Sequence, residues 1–145
     1  MTEPYILAID PGDMTGWCTM TLKGEIIEWE NLTQEDFQEK LTALQDAPSV
    51  IIYEDFKLFG HKAKQQTGSR FVASQIIGVL KYYGSVRRIP LVVQIPANKD
   101  TGAKWSGLRP TGQHNVSHKY DAYNHGFFYL RLHYRIPISL ETRNQ

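Results

Sequence analysis

Three acids in this chain end segments in a way that suits chemistry. Asp10 closes the apolar run YILAID and is followed at once by Pro11-Gly12; Glu54 closes a second run, SVIIYE; Asp121 stands in SHKYDAYNH. His118 lies three residues before Asp121 and His125 four after it, so on a helix all three share a face. Asp10 by itself fits three roles: a turn cap, a residue holding a nucleotide phosphate through a metal, or one arm of a nuclease metal site. Asp121 by itself fits the ordinary preference for acids near a helix N-terminus. Glu54 is harder to explain away, because a carboxylate continuing a buried strand is costly unless it is paired or metal-bound. Asp55 competes with it, but period 2 sends the two neighbours to opposite faces.

Together the acids point to a cation. Carboxylates a few ångströms apart repel unless positive charge lies between them, and an oxygen-rich donor set suits Mg2+ or Mn2+. Two such ions can activate a water and stabilise the leaving oxygen of a phosphodiester. His118 is then open to three functional roles, metal ligand, general base or contact to the scissile phosphate, beside the plain one of a surface histidine.

A basic stretch begins directly after the second acid. FKLFGHKAKQQTGSR carries Lys57, Lys62, Lys64 and Arg70, with His61 as a conditional charge, and holds no acid beyond residue 55. Phe56, Leu58 and Phe59 interleave with the cations, a pattern that can grip phosphates while an aromatic group wedges at an opened base step. Gly68-Ser69 would offer backbone N–H groups at a helix start, which brings Ser69 into the same set. Lys99, Lys104, Trp105 and Arg109 are secondary contact candidates. The charge distribution agrees: residues 1–56 hold two lysines against twelve acids, whereas residues 57–145 hold fourteen Lys and Arg against three acids. A net charge of +1 therefore conceals a basic part able to follow a phosphate backbone.

The elements that must position these groups read as follows. Residues 5–10, 15–22 and 25–32 are strands, with Lys23-Gly24 as a hairpin turn. Thr33 caps a helix over 34–46, with Phe37, Leu41 and Leu44 on its apolar face, and Pro48 forbids its continuation. Residues 49–55 form a central strand. Val72, Ile76, Val79, Leu80 and Tyr83 give a helix over about 69–83, with Gly84 as its stop. Residues 90–96 are a strand between prolines, 97–116 a long connection without apolar periodicity, and 117–132 a last helix. The order β-β-β-α-β-α-β-α predicts an α/β fold, a mixed sheet covered by helices, with ligand chemistry at strand carboxyl ends.

Length and composition fit one domain, residues 1–145, able to bury a real core. Cys18 is the only cysteine, so no intramolecular disulfide is possible and a reducing compartment is expected. No apolar run approaches the ~20 residues of a membrane span, and MTEPYILAID lacks the basic region of a signal peptide. These features predict a cytoplasmic protein with no membrane role.

At this point the residues resemble a known family. YILAIDPGDMTGW resembles the opening strand and turn of RuvC-type Holliday junction resolvases, and IIYEDFKLFGHKAKQQTGSR and HKYDAYNHGFFYL are similar to later blocks of its compact, phage-encoded branch. The resemblance implies an RNase H-like fold with a mixed five-stranded sheet flanked by helices. It also implies a homodimer, and cutting of four-way and other branched DNA with two Mg2+ or Mn2+ ions per site, leaving a 5′-phosphate. Asp10, Glu54 and Asp121 match the family's acids. His118 falls where some relatives carry a fourth acid and others a histidine; His125 matches no family position. The helix over 69–83 would carry the dimer contact through Phe71, Gln75, Ile76, Val79 and Tyr82, and the protein would work in the cytoplasm, the host's if it is phage-encoded. Two rivals remain at this level. DPGDMTG also resembles the phosphate turn of sugar kinases and actin-like ATPases, although those need a second domain, and a non-catalytic junction binder would use the same basic stretch.

Overall fold

The computed structural model describes residues 3–55, 67–109 and 118–139, residues 67–71 by their backbone alone. Five strands, β1 (Tyr5–Asp10), β2 (Thr15–Thr21), β3 (Ile26–Leu32), β4 (Val50–Glu54) and β5 (Leu91–Gln94), join four helices, α1 (Gln34–Thr42), α2 (Thr67–Arg87), α3 (Pro96–Ser106) and α4 (His118–Tyr134). The sheet order is β3-β2-β1-β4-β5. The first three strands form an antiparallel meander, and β4 and β5 run parallel to β1 and to each other. The predicted mixed five-stranded sheet flanked by helices is the observed one.

Alternation along the strands divides the core in two. Ile6 and Ala8 of β1 join Val50 and Ile52 of β4 beneath Ala122, Tyr123, Phe127 and Leu130 of α4. Leu7 and Ile9 join Ile51 and Tyr53 beneath Phe37 and Leu41 of α1 and Ile76, Leu80 and Tyr83 of α2. Both faces of β1 and β4 are thus covered, which is why their sequences are unbroken apolar runs. Each fully buried Ile or Leu contributes about 1.5–3 kcal/mol.

The local signals explain most element ends. Thr33 Oγ1 accepts the Asp36 N–H at 3.2 Å at the start of α1. At the β2–β3 hairpin, Gly24 donates to Thr21 O at 3.0 Å and takes φ +90°, a conformation glycine adopts without strain.

Three expectations need correction. Gly84 does not stop α2; the helix runs to Arg87 and ends where Arg88 takes φ 57° and Ile89 N–H reaches back to Gly84 O at 2.8 Å. Gly84 instead answers a packing need, since a Cβ there would meet Leu91 at 3.0 Å. The predicted loop 97–116 contains α3, with Pro96 in its first turn and Gly107 at φ 75° as its left-handed stop. It lacks an apolar period because Gly102 is its only buried residue; it packs on α4 through the close backbone approach at Gly102 and the half-buried ring of Trp105. Ile76, named for the dimer face, is fully buried in the α1–α2 core and is not available for it.

Candidate active site

In the parallel β1–β4 ladder Ile9 pairs with Tyr53, so Asp10 and Glu54 come next on adjacent strand ends. Both share the parity of the residues under α4, and so does Gln94, which follows Val92 by two on β5. Three neighbouring strands thus end in a row of polar tips facing α4. Asp55 has the other parity and points to the opposite face.

The N-terminus of α4 is brought over this row by the β2–β3 hairpin. Trp29 Nε1 donates to Lys119 O at 2.6 Å, and Lys119 N–H donates to Asn31 Oδ1 at 2.9 Å. Gly16, the cross-strand partner of Asp10, lets the helix start touch the sheet: a Cβ there would fall far inside 3.0 Å of the His118 carbonyl. Gly12, in the turn after Asp10, lies beside the His118 ring, which a Cβ would meet at an ordinary contact distance of 3.5 Å. α3 is seated by Gly102, where a Cβ would collide with the Asn124 carbonyl, and by Asn124 itself, which accepts from Ser106 Oγ at 2.8 Å and donates to Leu108 O at 3.0 Å.

The side chains so placed form two contact groups, coupled to each other by the charge of Asp10. His118 Nδ1 lies 3.0 Å from Asp10 Oδ2. Lys99 Nζ, from the first turns of α3, lies 3.1 Å from Glu54 Oε1 and 3.5 Å from Asp121 Oδ2. His125, with no exposed surface, bridges Glu54 Oε1 at 3.2 Å and Gln94 Oε1 at 2.6 Å through its two ring nitrogens. The structure therefore brings together Asp10, Glu54, His118 and Asp121. It adds Lys99, His125 and Gln94, to which the sequence reading assigned no part in the acidic centre. Gln94 carries a signal that would have found it, as the polar tip of a third apolar strand.

Electrostatics bind the cluster. Burial pushes the Asp121 carboxyl up to about 6; Lys99 opposes this, and the charges of Asp10 and Glu54 add to it. Burial pushes Glu54 upward too, but the His125 hydrogen bond and Lys99 outweigh it and hold Glu54 below its ordinary value. The hydrogen bond to Asp10 raises His118 against its burial. Burial disfavours charge on Lys99, yet Glu54, Asp121 and Asp10 together raise it above its usual value.

The donor chemistry, three carboxylates and an imidazole, fits a hard divalent cation. The arrangement is closed around Lys99, and among the described residues no three His, Cys, Asp or Glu side chains stand ready to hold a metal ion.

The proposed DNA contacts are only partly in view. Lys57, His61, Lys62 and Lys64 lie outside the described residues, as do the side chains of Ser69 and Arg70, whose backbones belong to the first turn of α2. Lys104 on α3 and Arg109 just beyond it are exposed. Trp105 is corrected: its half-buried ring stacks on Phe128 at 5.4 Å and belongs to the core under α4. Of the α2 residues expected at a dimer contact, Gln75 and Tyr82 are exposed, while the Phe71 side chain lies outside the described residues.

No protein-family model and no curated protein matches the chain. Among solved structures it is similar to Thermus thermophilus RuvC in complex with Holliday junction substrate, with a TM-score of 0.63 at 13% identity over 90% of this chain and 97% of that one. A second Thermus thermophilus RuvC structure matches with a TM-score of 0.51 at 12% identity over 92% and 98% of the two chains. The chain thus has the RNase H-like fold of RuvC.

Proposed function

We propose that this protein is a structure-selective DNA endonuclease that resolves four-way and other branched DNA as a homodimer, using two Mg2+ or Mn2+ ions per site. The observation that carries the reading is the convergence of Asp10, Glu54, Asp121 and His118 at the carboxyl ends of two parallel strands, in a fold shared with a protein solved on Holliday junction substrate. Asp10, Glu54, Asp121 and His118 would hold the ions, which supply an activated water and stabilisation of the leaving oxygen. Each side chain has a defined task around them. His125 and Gln94 orient Glu54 from behind. Asp10 holds His118 over the centre, and the β2–β3 hairpin keeps His118 and Asp121 in register with the strand ends.

The basic stretch from Lys57 to Arg70 would lead a DNA backbone from the end of β4 to the acids, with Lys104 and Arg109 as further phosphate contacts. Gln75, Val79 and Tyr82 of α2 supply the proposed dimer face, so that a two-fold axis sets two sites on opposed strands. One domain carries the whole activity. No helix among the described residues is long and apolar enough to cross a membrane, and the proposal places the work in the cytoplasm, the host's if the chain is phage-encoded.

The test is a synthetic four-way junction offered to purified protein with Mg2+ or Mn2+. Paired, symmetric nicks that vanish in Asp10→Asn are expected. Cleavage that survives Asp10→Asn refutes the assignment of the site, and junction binding without cleavage at any metal concentration selects the non-catalytic binder.

A further inference from the structure

The side chain at the middle of the acidic cluster is a lysine from an element with no apolar pattern. Lys99 Nζ touches Glu54 and Asp121 at 3.1 and 3.5 Å, and the Asp10 charge acts on it as well. Its own helix does not explain the placement. Lys99 is the fourth residue of α3, and a cation near a helix N-terminus opposes the macrodipole. What holds it is the acids, which would otherwise repel one another across a half-buried site.

Two cationic or proton-donating groups meet Glu54, and they differ in mobility. His125 is fully buried and wedged between Glu54 and Gln94, so it cannot leave without opening the core. Lys99 is a point charge on a flexible stem, and its side chain is 24% exposed, with a route to solvent. One is a fixture of the site and the other is exchangeable.

We propose that Lys99 is the internal cation of the metal-free centre, and that it competes with the divalent metal for the space between Glu54 and Asp121. The inference rests on the metal-dependent reading of the site. In the free protein Lys99 neutralises part of the carboxylate charge and keeps the strand ends and α4 together. When a divalent ion is bound, the ammonium has withdrawn toward solvent while Glu54 stays held by His125.

The experiment uses the full chain without DNA. Mn2+ binding is titrated by electron paramagnetic resonance, and melting is followed in EDTA and in Mn2+, for wild type, Lys99→Met and Lys99→Arg. Lys99→Met is expected to bind Mn2+ about ten-fold tighter or more, to melt lower than wild type in EDTA, and to gain more from Mn2+. Lys99→Arg, which keeps the charge, should stay near wild type in affinity. A measurement on wild type alone avoids any folding defect: amine-reactive labelling read by mass spectrometry, with exposed Lys81 as the internal reference. Mn2+ should speed Lys99 labelling several-fold and leave Lys81 unchanged. Equal or weaker Mn2+ binding by Lys99→Met, or Lys99 labelling unaffected by Mn2+ at saturation, overturns the exchange while leaving a metal site in place. Absence of saturable Mn2+ binding in wild type and Lys99→Met alike overturns the metal reading and the exchange with it.

Discussion

Gly16→Ala isolates the step by which the sheet positions the helix that carries half of the acidic centre. Gly16 pairs with Asp10 across the β1–β2 ladder, and its missing side chain is the space in which α4 begins. An alanine Cβ would fall well inside 3.0 Å of both the carbonyl oxygen and carbon of His118, and at 3.0 Å from the Lys119 nitrogen. All three are backbone atoms, so no side chain can rotate to relieve the clash. The helix start must move away from β2, and the two bonds that tie it to β3, Trp29 to Lys119 O and Lys119 N–H to Asn31, must stretch or break. Overpacking costs about 1–3 kcal/mol and each lost hydrogen bond about 1 kcal/mol, for a total of about 3–5 kcal/mol. At this chain length that corresponds to a melting temperature lowered by roughly 10–16 °C. A displacement near 1 Å at His118 and Asp121 should also reduce cleavage by about 100-fold. The assay is thermal unfolding together with single-turnover junction cleavage well below the melting point. A Gly16→Ala protein that melts within 2 °C of wild type, by the same scale, or that cleaves normally, would refute the placement of α4 on the β2–β3 hairpin.

Two further outcomes follow from the cluster. The Asp121 carboxyl is pushed up to about 6 by burial and its acidic neighbours, so between about pH 4 and pH 6 the unfolded chain gives up this proton while the folded chain keeps it. In EDTA its contribution to stability is therefore largest below pH 4 and is lost as pH rises to 6. Asp121→Asn should gain on wild type by on the order of 2–3 kcal/mol across that window, and denaturant titrations showing a pH-independent difference would contradict the assignment. His125→Ala removes the buried imidazole that bridges Glu54 and Gln94 and should weaken Mn2+ binding by about 10–100-fold, with Gln94→Ala weaker in effect. Unchanged Mn2+ affinity in a folded His125→Ala protein would show that Glu54 needs no support from behind.

Some of this molecule is written in local chemistry. The runs YILAID and SVIIYE announce strands buried on both faces, Thr33 announces a helix start, and Lys23-Gly24 a hairpin, because each depends on neighbours in the chain. The acids Asp10 and Glu54 were legible for the same reason, since a charge closing a buried run must be answered by something, whereas Asp121 reads locally as an ordinary acid in a first helical turn. Other features depend on what packs from elsewhere. Helix α3 escapes apolar periodicity because it docks through Gly102 against the Asn124 backbone, a contact no amphipathic pattern records. Gly84 reads locally as a stop, yet it lies inside α2, where a Cβ would meet the Leu91 side chain and the Ile89 carbonyl closely. The choice between Glu54 and Asp55 followed from which face α4 covers. The remaining members of the site, Lys99 and the His125–Gln94 pair, come from three elements, the adjacent β5 and α3 and the more distant α4. Their roles exist only because the β1-β4-β5 order sets three strand ends side by side beneath one helix. Sequence alone determined that acids stand at the ends of buried strands, since burial of charge is a local cost; tertiary structure decided what answers them, since charge compensation acts through space.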